Sequence, residues 1–249
     1  MTSESAKYVY GVISARADPP AGPGIGGAGL ELIRAEDLAA LVSDIDGGEI
    51  ALGREAMTTH ARVLEQALTA GTVLPMRFGV VMTDEDAVRA DLLDAHGAQL
   101  RSQLEDLTGK VELKLRATYE EERLMREVMA QDPEILRLRD SLRGVPEDAT
   151  YYARIQLGEL VAAGVERARH ADSDAILGAL VPLSVAVEAS EPAHERIAAD
   201  ASFLVERKRI AEFDDEMDRI GRVQAGRLRL KLTGPLPPHS FVRLAATEA

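Results

Sequence analysis

Cysteine and tryptophan are both absent from this 249-residue chain. Without cysteine there is no disulfide, thiolate zinc site, iron–sulfur cluster or cysteine nucleophile, although the redox compartment stays open. Aromatic residues make up only 4%, so a core must be assembled mostly from Leu, Val, Ile and Ala, as helix-rich proteins do. Positive charge is scarce as well: 29 Lys and Arg stand against 42 Asp and Glu, a formal net charge of -13. That balance argues against general binding to nucleic acid or an anionic membrane, and suits a cytoplasmic protein. No apolar run approaches the roughly 18 residues of a membrane span, and residues 1–7 lack the apolar region of a signal peptide. A soluble, non-exported chain is expected.

What remains is an ordinary globular mixture, 46% hydrophobic and 29% charged. The length suits two domains of about 100 residues each with a linking segment, or one large domain. Residues 8–15, Tyr-Val-Tyr-Gly-Val-Ile-Ser-Ala, read as a strand. The Pro- and Gly-rich stretch 18–29 reads as a loop. Residues 30–34 resume as a strand, and 37–45 fit a strand or a short helix, with strand favoured. At 54–70 the spacing of Met57, Ala61, Leu64, Ala67 and Leu68 predicts an amphipathic helix closed by Gly71. Thr83 is the expected N-cap of a helix running to about residue 107. The alternation in 110–119 predicts a strand with Val111, Leu113, Leu115 and Ala117 on one face and Glu112, Lys114 and Arg116 on a wet one.

The charged stretch 120–143, broken at Asp132-Pro133, reads as a helical connector or hairpin. Beyond it come a helix over 151–171 with Tyr152, Ile155, Leu160, Val161 and Val165 as its apolar stripe, strands at 180–189 and 201–205, a helix at 208–223 and a strand at 227–232. The fold class is therefore α+β, with an N-terminal sheet domain at 1–118, a connector at 119–148 and a second α+β domain at 149–249. Gly226-Arg-Leu-Arg-Leu-Lys-Leu232 echoes Gly109-Lys-Val-Glu-Leu-Lys-Leu115, which suggests two related units. The proline-stiffened segment 233–242 is expected to pack rather than to hang free.

The best site hypothesis is the run Val73-Leu-Pro-Met-Arg-Phe-Gly-Val-Val81, read as a central strand at 72–82. Proline removes a ladder donor, and an arginine among apolar neighbours needs a partner or water, so Pro75, Met76 and Arg77 mark an edge, a bulge or an exposed corner. Arg77 either pairs with an acidic group inside the fold or anchors a partner together with Met76 and Phe78. Gly24-Ile-Gly-Gly-Ala-Gly29 spells a dinucleotide-binding turn, but prolines precede it and a strand rather than a helix follows. The five histidines, at 60, 96, 170, 194 and 239, contain no helical pair at metal-ligand spacing. The acidic clusters at 84–86, 120–122 and 214–216 suit helix dipoles and solubility. No nucleophile elbow or phosphate-loop lysine occurs, so no cofactor, metal or catalytic residue is assigned.

Five motifs in order give the chain a likeness: Tyr8-Val-Tyr-Gly-Val, Val73-Leu-Pro-Met-Arg-Phe-Gly79, Tyr151-Tyr-Ala-Arg-Ile-Gln-Leu-Gly-Glu159, Ala201-Ser-Phe-Leu-Val205 and Gly234-Pro-Leu-Pro-Pro-His-Ser-Phe-Val242. In these it resembles the gas vesicle GvpL/GvpF family over nearly its whole length. It departs where that family typically carries Trp and Tyr and this chain has Leu236 and His239. The resemblance implies a non-enzymatic accessory protein of gas vesicle formation with an N-terminal α+β domain and a C-terminal ferredoxin-like domain. The implied partners are the small hydrophobic gas vesicle shell protein (the GvpA type) and other gas vesicle accessory proteins. The expected contact residues are Met76, Arg77 and Phe78, with Tyr152 and Ile155 on the helix beyond. A competing expectation is a small-molecule or nucleotide-binding regulatory protein using the glycine-rich loop.

Overall fold

A run of β-branched and aromatic residues opens the first sheet as β1 (Ala6–Ser14), nearly all of it buried. The computed structural model describes residues 6–45 and 53–243. Residues 1–5 and 244–249, at the ends of the expected domain ranges, and 46–52 lie outside the described residues. The chain divides into two units, one made of the described residues up to Glu112 together with those from Gly234 onward, the other of Leu113–Thr233.

In the first unit, β2 (Leu30–Ala35) and β3 (Leu38–Ile45) form a hairpin on β1. The stretch at 37–45 is thus the favoured strand, buried on both faces from Leu38 to Val42. The helix α1 (Arg54–Ala70) ends at Gly71 as its sequence requires. Its buried stripe is Ala56, His60, Val63, Leu64, Ala67 and Leu68, one position away from the expected stripe at its start, so that Met57 is exposed and His60 takes the inward place. Then β4 (Val73–Pro75) and β5 (Val81–Met82) both pair antiparallel with β1. The sheet order is β2-β3-β1-β4, with β5 also on β1.

The expected helix to residue 107 is instead a turn α2 (Glu85–Ala87), a π-helical stretch Val88–Asp94 and α3 (Gly97–Asp106). Its N-cap is Asp84 rather than Thr83: the Asp84 carboxylate accepts from the Ala87 N–H at 2.7 Å. The segment after Gly234 packs as expected. Pro237 and Pro238 are buried, and Ser240 donates its N–H and hydroxyl to Glu112, each at 2.8 Å.

The second unit is built on β6 (Lys110–Tyr119), α4 (Glu121–Gln131), α5 (Pro133–Ser141), α6 (Glu147–Leu180), β7 (Ala186–Ala189), β8 (Ile197–Glu206), α7 (Ile210–Val223) and β9 (Leu228–Leu236). The sheet order β7-β8-β6-β9 places the unit's second, third, first and fourth strands side by side. With helices after the first and third strands, this is the ferredoxin-like βαββαβ arrangement.

Four expectations are corrected here. Strand 110–119 is the first strand of this sheet, because its partners are β8 and β9, so the second unit starts near residue 113 and not at 149. The charged stretch 120–143 breaks at Asp132-Pro133 as read, with Asp132 capping α5, but it is no connector: Leu124, Val128 and Ile135 are buried in the second unit's core. The echoing strands at 110–115 and 226–232 lie next to each other in one sheet as β6 and β9, and do not mark two repeated units. The helix predicted over 151–171 runs on to Leu180, so the strand expected from 180 shrinks to Ala186–Ala189.

Candidate functional site

The apolar run 73–81 is a strand interrupted in its middle. Gly11 of β1 lacks a side chain where β4 crosses: a Cβ there would lie 2.6 Å from the Leu74 carbonyl oxygen. That close approach lets β4 pair through Gly11, Val12 and Ile13, and β5 through Lys7 and Tyr8. Between them the backbone bows out. The Met76 N–H still reaches the Tyr10 carbonyl at 2.8 Å and the Val9 N–H the Val80 carbonyl at 3.0 Å, while Gly79 supplies a φ of 95°. The interruption around Pro75 and Arg77 is therefore a bulge on the sheet edge.

The bulge sends its three central side chains to different fates. Met76 is buried at 4% exposure. Arg77 is exposed and has no ion pair among the described residues, which replaces the expected internal partner with solvent. Phe78 is half-buried and turns inward, its ring 5.7 Å from His60 and 6.3 Å from Tyr8. Beneath it lies an aromatic cluster: Tyr8 and Tyr10 meet edge to face at 4.8 Å, and Tyr10 stacks on His60 at 5.7 Å.

Hydrogen bonds fix this cluster. The Tyr8 hydroxyl accepts from the Gly79 N–H at 3.2 Å and lies 2.7 Å from His60 Nδ1. Burial pushes the Tyr8 phenol up to about 12, against the opposing pull of the Gly79 N–H. Burial also pushes His60 down to about 4, and the neighbouring His239 adds to this, so the imidazole is neutral at physiological pH. Among the described residues His60 Nε2 is buried without a hydrogen-bond partner, while the backbone of Met76 pulls the pKa the other way. Of this cluster only Phe78 belonged to the expected site. The signal for the tyrosines was the period-two Tyr8 and Tyr10; His60 lies off the expected stripe of α1 and carried no such signal.

The glycine-rich loop belongs to the same neighbourhood and has a packing role. The Tyr10 hydroxyl accepts from the Ile25 N–H at 2.7 Å and bonds Ser43 Oγ at 2.9 Å. A Cβ on Gly24 would sit 2.6 Å from that hydroxyl. Strand β2 follows the loop, so the helix N-terminus that a pyrophosphate requires is missing and the nucleotide reading loses its geometry.

Tyr152 and Ile155 lie in the other unit, one turn apart on α6. They do not line a buried stripe. Tyr152 is 84% exposed, Ile155 44% and the neighbouring Tyr151 63%; after the buried Thr150 the next fully buried positions on α6 are Gly164 and Val165. The Tyr151 and Tyr152 rings meet at 5.4 Å. Tyr151 was missed because the expected stripe assumed that α6 is covered along its whole length.

Comparison with known proteins matches this architecture. The family described as gas vesicle synthesis protein GvpL/GvpF covers residues 6–243. Gas vesicle protein F of Streptomyces sp. (strain CB03234) is 36% identical over 94% of this chain and 98% of its own length, and gas vesicle protein L of the same strain is 27% identical over 100% and 97%. Among solved structures, GvpF of Anabaena sp. PCC7120 superposes with a TM-score of 0.87 at 23% identity, over 97% of this chain and 100% of that one. GvpF of Microcystis aeruginosa does so with a TM-score of 0.81 at 21% identity, over 96% and 100%. The family match over nearly the whole chain and the 36% identical relative establish that the chain belongs to the gas vesicle synthesis protein GvpL/GvpF family.

Proposed function

We propose that this protein is a non-enzymatic assembly factor that binds the small hydrophobic shell protein of the gas vesicle and limits its aggregation until it joins the wall. The observation that carries the reading is the apolar surface left in water on α6, where Tyr151, Tyr152 and Ile155 are all exposed. A shell subunit outside its wall presents unpaired strand edges and apolar surface, which aggregate unless covered. Exposed tyrosines supply large contact area at low entropic cost, and the net charge of -13 keeps a covered subunit dispersed. The bulge at 76–78 is a second contact: Arg77 projects freely from a backbone that Met76 and Phe78 pin from below. The protein acts in the cytoplasm in association with the vesicle and its other accessory proteins.

The test is co-expression with the shell protein. Shell protein that stays soluble and co-purifies supports the reading. Tyr152→Ser with Ile155→Ser, both at exposed positions, is expected to shift shell protein into the insoluble fraction, and Arg77→Glu with Phe78→Ala to weaken co-purification. Unchanged solubility and binding in both variants would remove these surfaces from the mechanism.

A further inference from the structure

The second unit has a groove of about 630 Å³ at the edge of its sheet, lined on one side by Asp214, Met217, Asp218 and Gly221 of α7 and on the other by Leu230 and Leu232 of β9. The strand β9 ends the sheet order, paired with β6 on one side only. Its side chains alternate, with Leu228, Leu230 and Leu232 turned inward and Arg229, Lys231 and Thr233 exposed. An unpaired edge beside an apolar groove has the geometry for strand addition, in which a partner supplies backbone hydrogen bonds and drops every second side chain into the groove.

Charge selects the occupant. Asp214 and Asp218 stand one turn apart on the groove wall, have no ion pair among the described residues and outnumber Arg222, the one cation of the lining, so they favour a basic group entering from the groove side. Lys231, also without an ion pair among the described residues, sits on the opposite, outer face of the edge strand. A lysine there discourages indiscriminate edge pairing and favours an acidic cross-strand neighbour. We infer that this groove docks an extended segment of another protein by strand addition to β9, a segment with aliphatic residues and one Arg or Lys on its groove face and acidic residues on its outer face. The inference uses neither the bulge at 76–78 nor the exposed face of α6, and stands or falls apart from them.

The probe is the capped peptide Val-Glu-Val-Glu-Arg-Glu-Val-Glu-Val, measured by calorimetry and by hydrogen exchange against a scrambled peptide of the same composition. Saturable binding with slowed exchange at the β9 amides is expected, and the scrambled peptide should bind about tenfold more weakly. Gly221 makes a clean blocking site. A Cβ there meets nothing within 4 Å, and replacing a helical glycine favours folding, so Gly221→Gln should fold yet reduce binding roughly tenfold. Asp214→Asn with Asp218→Asn should cost about three- to tenfold, with the difference shrinking in high salt. Equal binding of both peptides, binding without protection of β9, or no binding at all would overturn the inference. So would a self-association of the free protein that Gly221→Gln abolishes, because the groove would then serve a second copy of this chain.

Discussion

A methyl group added to Gly11 would stand 2.6 Å from the Leu74 carbonyl oxygen and 3.1 Å from both Leu64 and Val73. The nearest of these is backbone, so β4 itself must move. Gly11→Ala should lose about 1–3 kcal/mol in urea unfolding and speed hydrogen exchange in β4, loosening the bulge at 76–78. His60 allows a pH prediction. Its pKa falls from 6.5 to about 4 on folding, because burial disfavours the charged ring. Between those values the unfolded chain binds the extra proton, so stability falls as pH drops from about 6.5 toward 4, by at most roughly 1.4 kcal/mol per pH unit. In His60→Phe that acid limb should flatten, as read from unfolding curves at a series of pH values. At this scale the sequence was legible where a residue conflicted with its neighbours: Pro75 and Arg77 in an apolar run announced the bulge. It was silent where a residue conformed, since nothing local distinguishes the inward His60 from a surface histidine.

Single elements show a second limit. Helix α6 spans 34 residues, yet its first half is mostly exposed and its second half packs on β8, α4 and α7. No one apolar stripe runs its length, so periodicity located the helix but misjudged both its end and its wet face. What anchors the packed half is a polar cluster at Arg227, just before β9. Its guanidinium donates to Asp172 of α6 at 2.7 Å and to Glu127 of α4 at 2.6 Å, while Tyr119 of β6 donates to Asp172 at 2.6 Å. Burial alone would raise the Glu127 carboxyl, but the bonds from Arg227 and Arg123 outweigh it and hold the pKa below its usual range. This contribution is present at neutral pH and fades as acid titrates the folded carboxylate. Arg227→Met should destabilise the second unit by about 2–4 kcal/mol, because Asp172, 9% exposed, then keeps only its tyrosine partner among the described residues. Thermal melts of the variant would check it, and a loss below about 0.5 kcal/mol would mean that the cluster contributes little.

For the molecule as a whole, the α+β class and the presence of two sheets were readable from composition and alternation, but the division between the units was not. Strand pairing is non-local, so nothing in residues 110–119 reveals that their partners come from 197–206 and 228–236. The second unit is consequently inserted between two parts of the first. Glu112, 3% exposed, accepts both a backbone and a hydroxyl hydrogen bond from Ser240 across that insertion. Removing residues 237–249 strips this carboxylate of both donors and uncovers the surface under Pro237 and Pro238. The truncated protein should show a destabilised first unit, by about 2–4 kcal/mol, beside an unchanged second one. Domain-resolved hydrogen exchange would distinguish this from global unfolding.

The same bond from Glu112 to Ser240 sets an order of events during translation. The first unit begins to emerge from the ribosome before the second, yet the donors that its buried carboxylate requires are made only after the whole inserted unit. At about 5–20 residues per second, the intervening stretch takes on the order of ten seconds to synthesise. During that interval residues 113–233 can complete their own sheet while the earlier unit waits. The unit that starts first therefore finishes last, and the surface beside Glu112 is sealed only once residue 240 has left the exit tunnel.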